Sequence, residues 1–207
     1  MKAKLRILIA DDHAIVRMGL SALIDSQPDM ECVGEAIDGN DALSKARAVR
    51  PDVVIMDIMM PELDGIGATR ALSALSPAPK VLILTTSTSS EDLAHALKAG
   101  AAGTIMKSEA NANLLQAIRT IAEGDEYLSP EVADILAKEP PITDLTDRQL
   151  RILESMARGL TNKDIAAQLN CSPESVKDRI NSICTKLGAA NRTEAVAIAL
   201  RKHLLKI

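Results

Sequence analysis

Three aspartates follow two apolar runs and could form one anionic site. Asp57 comes directly after the run 53–56, which reads Val, Val, Ile and Met, and Asp11 and Asp12 come directly after the run 5–10. In open α/β sheets, ligand-binding groups gather at the carboxyl ends of parallel strands. Three carboxylates in one crevice repel one another unless a hard cation neutralises them. The sequence therefore predicts a Mg²⁺ site at this end of the two strands.

Asp57 is also suited to act as a nucleophile. A carboxylate can attack a phosphoryl group and form an acyl phosphate when a cation screens its approach. Thr85, which ends the fourth predicted strand, could donate its hydroxyl to the phosphoryl oxygens, and Lys107, after the fifth, could pair with them. Each residue alone also fits an ordinary role: a helix cap for Asp11 or Asp12, a strand position for Thr85, a solvated terminus for Lys107. Together they favour one phosphoryl-transfer site.

Five strand-like runs alternate with five helix-like segments in the first part of the chain. The predicted strands span 5–10, 31–35, 53–57, 81–85 and 103–106, and the predicted helices span 14–25, 40–49, 66–75, 91–99 and 110–122. Short apolar runs without polar alternation suit strands that are buried on both faces. The alternation predicts an α/β fold: a doubly wound, five-stranded parallel sheet with helices on both faces.

The pattern changes after residue 124. Residues 125–142 contain Ser129-Pro130, a short helix-like stretch at 131–138 and a Glu-Pro-Pro sequence, which together indicate a linker. Beyond it are only helix-like segments, at 146–158, 162–169, 173–187 and 193–205. The second and third of these have helix-turn-helix spacing. We therefore expect three parts: a domain over 1–124, a linker over 125–142 and an all-α domain over 143–207.

Charge and composition restrict the class of protein. Acidic residues outnumber basic ones by 21 to 13 in residues 1–142, whereas residues 143–207 contain 11 basic and 7 acidic residues. A basic carboxyl-terminal part favours contact with a polyanion. No run approaches the roughly 18 apolar residues of a membrane helix, and no signal peptide is recognisable, so we expect a cytoplasmic protein without a membrane partner. Cys32, Cys171 and Cys184 predict neither a disulfide framework nor a zinc site.

The acidic residues and their neighbours resemble a known family. Asp11-Asp12-His13, Asp57 with Met60-Pro61 and Asp64-Gly65, Thr85 and Lys107 look like the receiver domain of two-component response regulators, and the stretch from Asp11 to Leu20 is similar to the NarL/FixJ type. The resemblance implies a flavodoxin-like receiver from residue 5 to about 124. It also implies that a sensor histidine kinase phosphorylates Asp57, and that Mg²⁺ is bound by Asp11, Asp12, Asp57 and the carbonyl of Met59.

One position departs from the family pattern. The family usually has Tyr or Phe three residues before the lysine, and that ring turns inward when the threonine or serine engages phosphate. Thr104 stands there in this chain. Without the aromatic residue, either phosphorylation is coupled only weakly to output, or output is independent of phosphorylation. A phosphorylation-independent regulator is therefore one alternative.

The carboxyl-terminal part is similar to the LuxR-type helix-turn-helix that ends NarL/FixJ regulators. The similarity rests on Leu145 to Gln149, on Gly159 to Ala166, on Ser175-Val176-Lys177 and on Lys186-Leu187-Gly188. Such a fold places the segment 173–187 in the major groove of double-stranded DNA. The residues expected to contact DNA are Asn162, Lys163, Ser175, Lys177, Asp178, Arg179 and Asn181. Relatives dimerise through the last helix, so an active homodimer is expected to use Val196, Leu200 and Leu204.

The joint prediction is a DNA-binding transcriptional response regulator rather than an enzyme. Haloacid-dehalogenase-type phosphohydrolases share the aspartyl nucleophile but need a second acid two residues after it, where Met59 stands. A protein-interaction adaptor, in which the helical module binds protein instead of DNA, is the other alternative. Salt dependence separates the two, because DNA contacts through Lys163, Lys177 and Arg179 weaken steeply with added salt.

Overall fold

The computed structural model describes residues 3–138, 145–202 and 204–205. The chain divides into two compact units. One contains a parallel sheet covered by helices and the other is helical, so the predicted fold class is confirmed. None of the helices formed by the described residues is long and apolar enough to cross a membrane.

The sheet has all its neighbouring strands parallel. Its strands are β1 Leu5–Ala10, β2 Met30–Ala36, β3 Val53–Met56, β4 Lys80–Thr85, β5 Gly103–Met106 and β6 Tyr127–Leu128, in the order β2-β1-β3-β4-β5-β6. All four residues of β3 are buried and apolar, because helices cover this central strand on both faces. Ala10 pairs with Met56, so β1 and β3 end side by side and the aspartates that follow them start from neighbouring positions.

Helices on each side of the sheet build two apolar cores. The helices are α1 Ala14–Asp25, α2 Gly39–Val49, α3 Gly65–Ser73, α4 Ser90–Lys98, α5 Ala110–Glu123 and α6 Pro130–Lys138. Successive strand residues point to opposite faces: Leu8 and Val54 pack with α2 and α3, whereas Ile7 and Ile55 pack with α1 and α5. The ten strands and helices predicted over residues 5–122 occur with every bound within two residues of the prediction.

The prediction of five strands is one short. Tyr127 and Leu128, which lie within the predicted linker, form β6 and pair in parallel with Gly103 and Thr104 of β5. The Tyr127 amide donates to the Ala102 carbonyl over 3.1 Å. Two residues are too few to show a period-2 pattern in the sequence, so only the tertiary pairing identifies this edge strand.

The second unit contains α7 Asp147–Ala157, α8 Asn162–Leu169, α9 Pro173–Leu187 and α10 Arg192–Arg201. Its core is formed by the apolar faces of all four helices, with Ile152, Ile165, Val176, Ile183 and Ala199 among the fully buried or nearly fully buried side chains. Thr146, Thr161 and Ser172 cap the first three helices with their hydroxyls, as expected from their residue types. The last helix ends at Arg201, four positions before the predicted end at Leu205.

Candidate functional site

Two buried carboxylates lie at the ends of the two central strands. The Asp57 amide donates to the Ala10 carbonyl over 2.8 Å, which keeps the end of β3 beside the end of β1. The side chains of Asp11 and Asp57 are 2% and 4% exposed, whereas Asp12 and His13 are exposed. One ligand atom from each of these four residues lies within 4.8 Å of the others. The three aspartates singled out in the sequence therefore lie in one cluster.

Lys107 supplies the positive charge of this cluster. It follows β5, and its Nζ donates to Asp11 Oδ2 and to Asp57 Oδ2, each over 2.7 Å. Burial by itself lowers the pKa of the Lys107 ammonium, but the hydrogen bonds and negative charges of the two aspartates outweigh it and raise this pKa above its ordinary value. Lys107 is thus charged and bridges the two buried acids.

The surroundings of Asp57 make its charge costly. Burial raises the pKa of the Asp57 carboxyl, the negative charge of Asp11 raises it further, and the hydrogen bond from Lys107 only partly opposes this. Asp57 Oδ1 accepts a longer hydrogen bond, 3.3 Å, from the Met59 amide. Desolvation therefore disfavours the ionised form of the Asp57 carboxyl, and an added cation would stabilise that form.

Gly65 allows the chain that follows Asp57 to fold back against the Asp57 backbone. A Cβ at position 65 would lie 1.9 Å from the Asp57 carbonyl oxygen, so no other residue fits without moving the backbone. The Gly65 amide donates to the Ile58 carbonyl over 2.9 Å, and Asp64 caps α3 through the Gly67 amide over 2.8 Å. The Asp64-Gly65 pair noted in the sequence thus fixes the loop that carries Asp57 and Met59.

The donor set of the crevice fits Mg²⁺. Hard cations of this size prefer carboxylate and carbonyl oxygens, and the cluster of Asp11, Asp12 and Asp57 supplies carboxylate oxygens at short mutual distances. The excess of negative charge left after Lys107 also favours a divalent cation. The Met59 side chain is 60% exposed, so it extends into solvent and does not fill the crevice.

Thr85 ends the strand that lies between those carrying Asp57 and Lys107. It is fully buried, and its carbonyl accepts a hydrogen bond from the Lys107 amide over 2.8 Å. Its hydroxyl oxygen accepts from the Ser87 amide over 3.0 Å. The three residues proposed for phosphoryl chemistry therefore follow or end the three adjacent strands β3, β4 and β5.

Thr104 lies on β5, on the same side of the strand as Met106. It is fully buried, and its hydroxyl has no hydrogen-bond partner among the described residues. Its carbonyl accepts from the Ser129 amide over 3.0 Å. The position at which the family usually has an aromatic ring thus holds a small side chain with an unsatisfied polar group, which is costly in a core.

The residues expected to contact DNA differ in exposure. Lys163, at the start of α8, and Lys177, Asp178 and Asn181 on α9 are exposed, whereas Asn162, Ser175 and Arg179 are half-buried. Three residues of α9 therefore present polar groups to solvent at helical spacing, and Val176, Ile180 and Ile183 face the core. Arg179 Nη1 lies 3.9 Å from Cys171 Sγ, which holds its side chain toward the turn between the two helices.

Arg192 is a site neighbour that sequence reasoning missed. Its Nη1 donates to Asn162 Oδ1 over 3.1 Å, and its Nη2 donates to the Leu160 carbonyl. The contact ties the start of α10 to the start of α8, and one oxygen of Asn162 is consequently engaged within the protein. No local pattern could have indicated this pairing, because the residues are 30 positions apart.

The residues predicted for dimerisation lie on and after α10. Leu200 is 42% exposed, whereas Val196 and Leu204 are half-buried and pack against the core of the helical unit. Leu200 is thus the apolar side chain of this set that is most available to a partner.

Comparisons with known proteins cover both units. Residues 7–119 match the response regulator receiver domain, and residues 143–199 match bacterial regulatory proteins of the luxR family. The oxygen regulatory protein NreC of Staphylococcus epidermidis is 39% identical over 98% of this chain and 100% of its own length. The transcriptional regulatory protein LiaR of Bacillus subtilis is 36% identical over 97% of this chain and 99% of its own length.

Solved structures give the same result. The response regulator ChrA of a heme-sensing two-component system is 38% identical, with a TM-score of 0.58, and the match covers 98% of this chain and 100% of that one. A structure of two RcsB dimers bound to two parallel DNAs is 25% identical, with a TM-score of 0.70, and the match covers 96% of this chain and 98% of that one.

Proposed function

Since this chain belongs to the NarL/FixJ-type response regulators, DNA-binding transcription regulators built from a receiver and a LuxR-type helix-turn-helix, we propose that a sensor histidine kinase phosphorylates it on Asp57. The observation that carries the proposal is the position of Asp57, a buried carboxylate that shares Lys107 with Asp11. The proposed parts are the receiver over residues 1–124, a connecting segment over 125–142 and the helix-turn-helix domain over 143–207.

The proposed reaction is a phosphoryl transfer to a carboxylate. An oxygen of Asp57 attacks the phosphorus of a phosphohistidine on the kinase, a P–O bond forms, the P–N bond breaks, and the departing imidazole takes a proton from solvent. The Thr85 hydroxyl and the Lys107 ammonium bind oxygens of the transferred group from opposite sides. Fixed donors at these positions stabilise the charge that the phosphoryl oxygens carry in the transition state.

Asp11, Asp12, Asp57 and the carbonyl of Met59 are proposed to hold Mg²⁺. The bound cation supplies charge compensation between the anionic carboxylates and the incoming phosphoryl group. Buried Asp11 also keeps Lys107 beside Asp57 through its own 2.7 Å hydrogen bond. The chain itself thus orients the nucleophile and one of the two groups that receive the phosphoryl oxygens.

The helix-turn-helix domain is proposed to contact DNA through the start of α8 and the outer face of α9. Phosphates would be bound at the amino end of α8 by Asn162 and Lys163, and Arg179 would add a phosphate contact. The major groove would be faced by Ser175, Lys177, Asp178 and Asn181. Phosphorylation is proposed to promote a homodimer through Val196, Leu200 and Leu204. Two modules then bind two half-sites, which gives the contact area that one module lacks.

Phosphoryl uptake tests the first part of the proposal. Purified protein is incubated with acetyl phosphate and Mg²⁺, and intact mass is measured with and without a metal chelator. We expect the added mass of one phosphoryl group in the parent protein with Mg²⁺, and none after chelation or in the Asp57→Ala variant. Uptake that survives in Asp57→Ala would place the phosphoacceptor elsewhere.

The salt dependence of DNA binding tests the second part. Each phosphate contact that is lost should reduce the slope of log affinity against log salt by about one unit. We expect this reduction in Lys163→Ala and Arg179→Ala, which each remove a proposed phosphate contact, but not in the Arg151→Ala variant, which removes an exposed charge from α7. Equal slopes in all of these proteins would contradict the proposed phosphate contacts, and the absence of measurable DNA binding at low salt would favour the adaptor alternative, in which the module binds protein.

A phosphorylation-independent regulator is the second candidate function. The observation in its favour is Thr104, which provides no aromatic ring to change position when Asp57 is modified. In that case Asp57 takes up the phosphoryl group but the oligomeric state stays the same. Mass measurement together with light scattering separates the two candidates.

A further inference from the structure

Helix α6 is attached to the receiver through an apolar cluster at the edge of the sheet. Val132 is fully buried and packs with Leu93 of α4 and Met106 of β5. Ile135 and Leu136, one turn further along the helix, are half-buried against the same cluster. This spacing gives α6 one apolar face. The segment expected to be a linker is thus, in this part, a helix with a defined docking surface.

Three hydrogen bonds hold the amino end of the helix. Ser129 is fully buried, its amide donates to the Thr104 carbonyl over 3.0 Å, and its hydroxyl accepts from the Val132 amide over 3.4 Å. The Ser108 hydroxyl donates to Glu131 Oε2 over 2.9 Å. The first turn of α6 is therefore connected both to β5 and to the loop that follows β5.

The contacts on the β5 side lie directly beside Lys107. Met106, which contributes to the apolar cluster, precedes Lys107, and Ser108, which contacts Glu131, follows it. A movement of Lys107 from the Asp11 and Asp57 carboxylates toward a phosphoryl group would therefore act on the two neighbours in the chain that hold α6.

The contacts on the α4 side lead back to Thr85. The Ser87 amide donates to the Thr85 hydroxyl oxygen, and the Ser87 hydroxyl donates to Asp92 Oδ2 over 2.9 Å. Leu93, the residue after Asp92, packs against Val132. A few contacts thus connect Thr85, and a few others connect Lys107, to the surface on which α6 docks. These are the two residues proposed to bind the phosphoryl oxygens.

We propose that α6 is the switch element of this receiver and takes the place of the missing aromatic residue. The inference rests on the proposed phosphorylation of Asp57. When Thr85 and Lys107 engage the phosphoryl group, Leu93 and Met106 shift with their loops, the surface that buries Val132 is lost, and α6 leaves the receiver. Because Lys138 at its end leads along the chain toward the helix-turn-helix domain, the release changes how that domain is tethered.

Linkage makes the proposal reciprocal. If the phosphorylated receiver holds α6 less tightly, a receiver whose α6 is already loosened must favour the phosphorylated state by the same factor. Weakening the α6 contact should therefore raise the extent of phosphorylation at equilibrium with acetyl phosphate. A helix that serves only to cover the edge of the sheet would show no such effect.

Hydrogen exchange of the full chain tests the proposal. The amides of residues 131–138 are followed with Mg²⁺ alone and with Mg²⁺ plus beryllofluoride, which stands in for the phosphoryl group on Asp57. We expect exchange to become about tenfold faster or more with the mimic in the parent protein and to be unchanged by it in Asp57→Ala. Phosphoryl uptake from acetyl phosphate is measured on the same samples by intact mass.

Two variants and a matched control complete the experiment. Val132→Ala removes the anchor of α6, and Ser108→Ala removes only the contact of an exposed hydroxyl with Glu131, so the second variant keeps the core intact. Val53→Ala deletes the same atoms from an equally buried valine on the other face of the sheet. Fast exchange of α6 without the mimic, together with increased phosphoryl uptake, is expected in the first two and not in Val53→Ala.

The outcomes separate this inference from the proposed function. If Asp57 takes up no phosphoryl group, the proposed function fails and the inference fails with it. If Asp57 is phosphorylated while exchange of residues 131–138 does not respond to beryllofluoride, only the inference is overturned. Equal phosphoryl uptake in Val132→Ala, Ser108→Ala, Val53→Ala and the parent protein would also overturn it.

Discussion

The ammonium of Lys107 lies 2.7 Å from Asp57 Oδ2, and the same nitrogen lies 2.7 Å from Asp11 Oδ2. One cation thus compensates two nearly fully buried anions, which would otherwise repel each other across the crevice. The Asp57 carboxyl is therefore desolvated, and the hydrogen bond from Lys107 still favours its ionised form.

Replacing Lys107 by Met should destabilise the receiver. Two buried carboxylates then lose their partner, and we expect a loss of about 2 kcal/mol or more in the free energy of unfolding. Added Mg²⁺ should recover part of it, because the cation compensates the same charges. Urea unfolding at neutral pH, with Mg²⁺ or with a chelator, measures both effects. Lys138→Met, which breaks a surface pair with Asp134, should cost well under 1 kcal/mol; an equal loss in both variants would contradict the account.

Replacing Asp57 by Asn should stabilise the metal-free receiver at neutral pH. Burial and the Asp11 charge raise the pKa of Asp57 in the folded protein, so ionisation is more costly there than in the unfolded chain. The cost is present above the folded-state pKa and disappears as the pH falls through it toward the unfolded value. We therefore expect Asp57→Asn to gain on the order of 1 kcal/mol near pH 7 and to lose this advantage in acid. Thermal unfolding across the acidic range checks this, and a gain independent of pH would exclude the electrostatic cause.

Replacing Thr104 by Val should also stabilise the receiver. The Thr104 hydroxyl is buried without a partner among the described residues, so its removal relieves a desolvation cost of about 1 kcal/mol. Thr69 offers a matched control, since it is equally buried but its hydroxyl donates to the Gly65 carbonyl over 2.6 Å. Thr69→Val should therefore be destabilising. Opposite signs in the two unfolding free energies are expected; a destabilised Thr104→Val would show that its hydroxyl is satisfied.

Replacing Gln149 by Glu should stabilise the helix-turn-helix domain. Gln149 Oε1 accepts from Lys186 Nζ over 3.1 Å and from the Thr146 amide over 3.0 Å, and Glu would add a negative charge to both contacts at a helix amino end. We expect a gain of about 0.5 to 1 kcal/mol that shrinks at high salt. Gln168→Glu, which adds the same charge at an exposed position of α8, controls for net charge. Similar gains in the two variants would argue against a specific role of Lys186.

The fold was largely predictable from the sequence because its central strands are short, wholly apolar runs. The run from Leu5 to Ala10 forms β1 with the predicted bounds, and the predicted strand from Val53 ends one residue early, at Met56. The pair Tyr127 and Leu128 was missed, since it becomes a strand only by pairing with β5. Helix α6 was predicted, but its burial against α4 and β5 depends on contacts that no local pattern indicates.

The candidate site was predictable as far as strand ends determine it. Parallel strands bring Asp11, Asp57 and Lys107 to one edge whatever the intervening sequence is, so their residue types were enough. The Thr104 hydroxyl, which has no partner within the part of the chain that the structure describes, and the Arg192 contact with Asn162 were not predictable. Both depend on which side chains meet across long sequence separations.

The molar mass in solution tests the central claim, that modification of Asp57 controls assembly, most directly. Light scattering with Mg²⁺ present compares the free protein, the protein with beryllofluoride, and Asp57→Ala with beryllofluoride. The account predicts a monomer in the first and third samples and a dimer in the second. The same mass in all three samples would contradict it and would assign control to the helix-turn-helix domain alone.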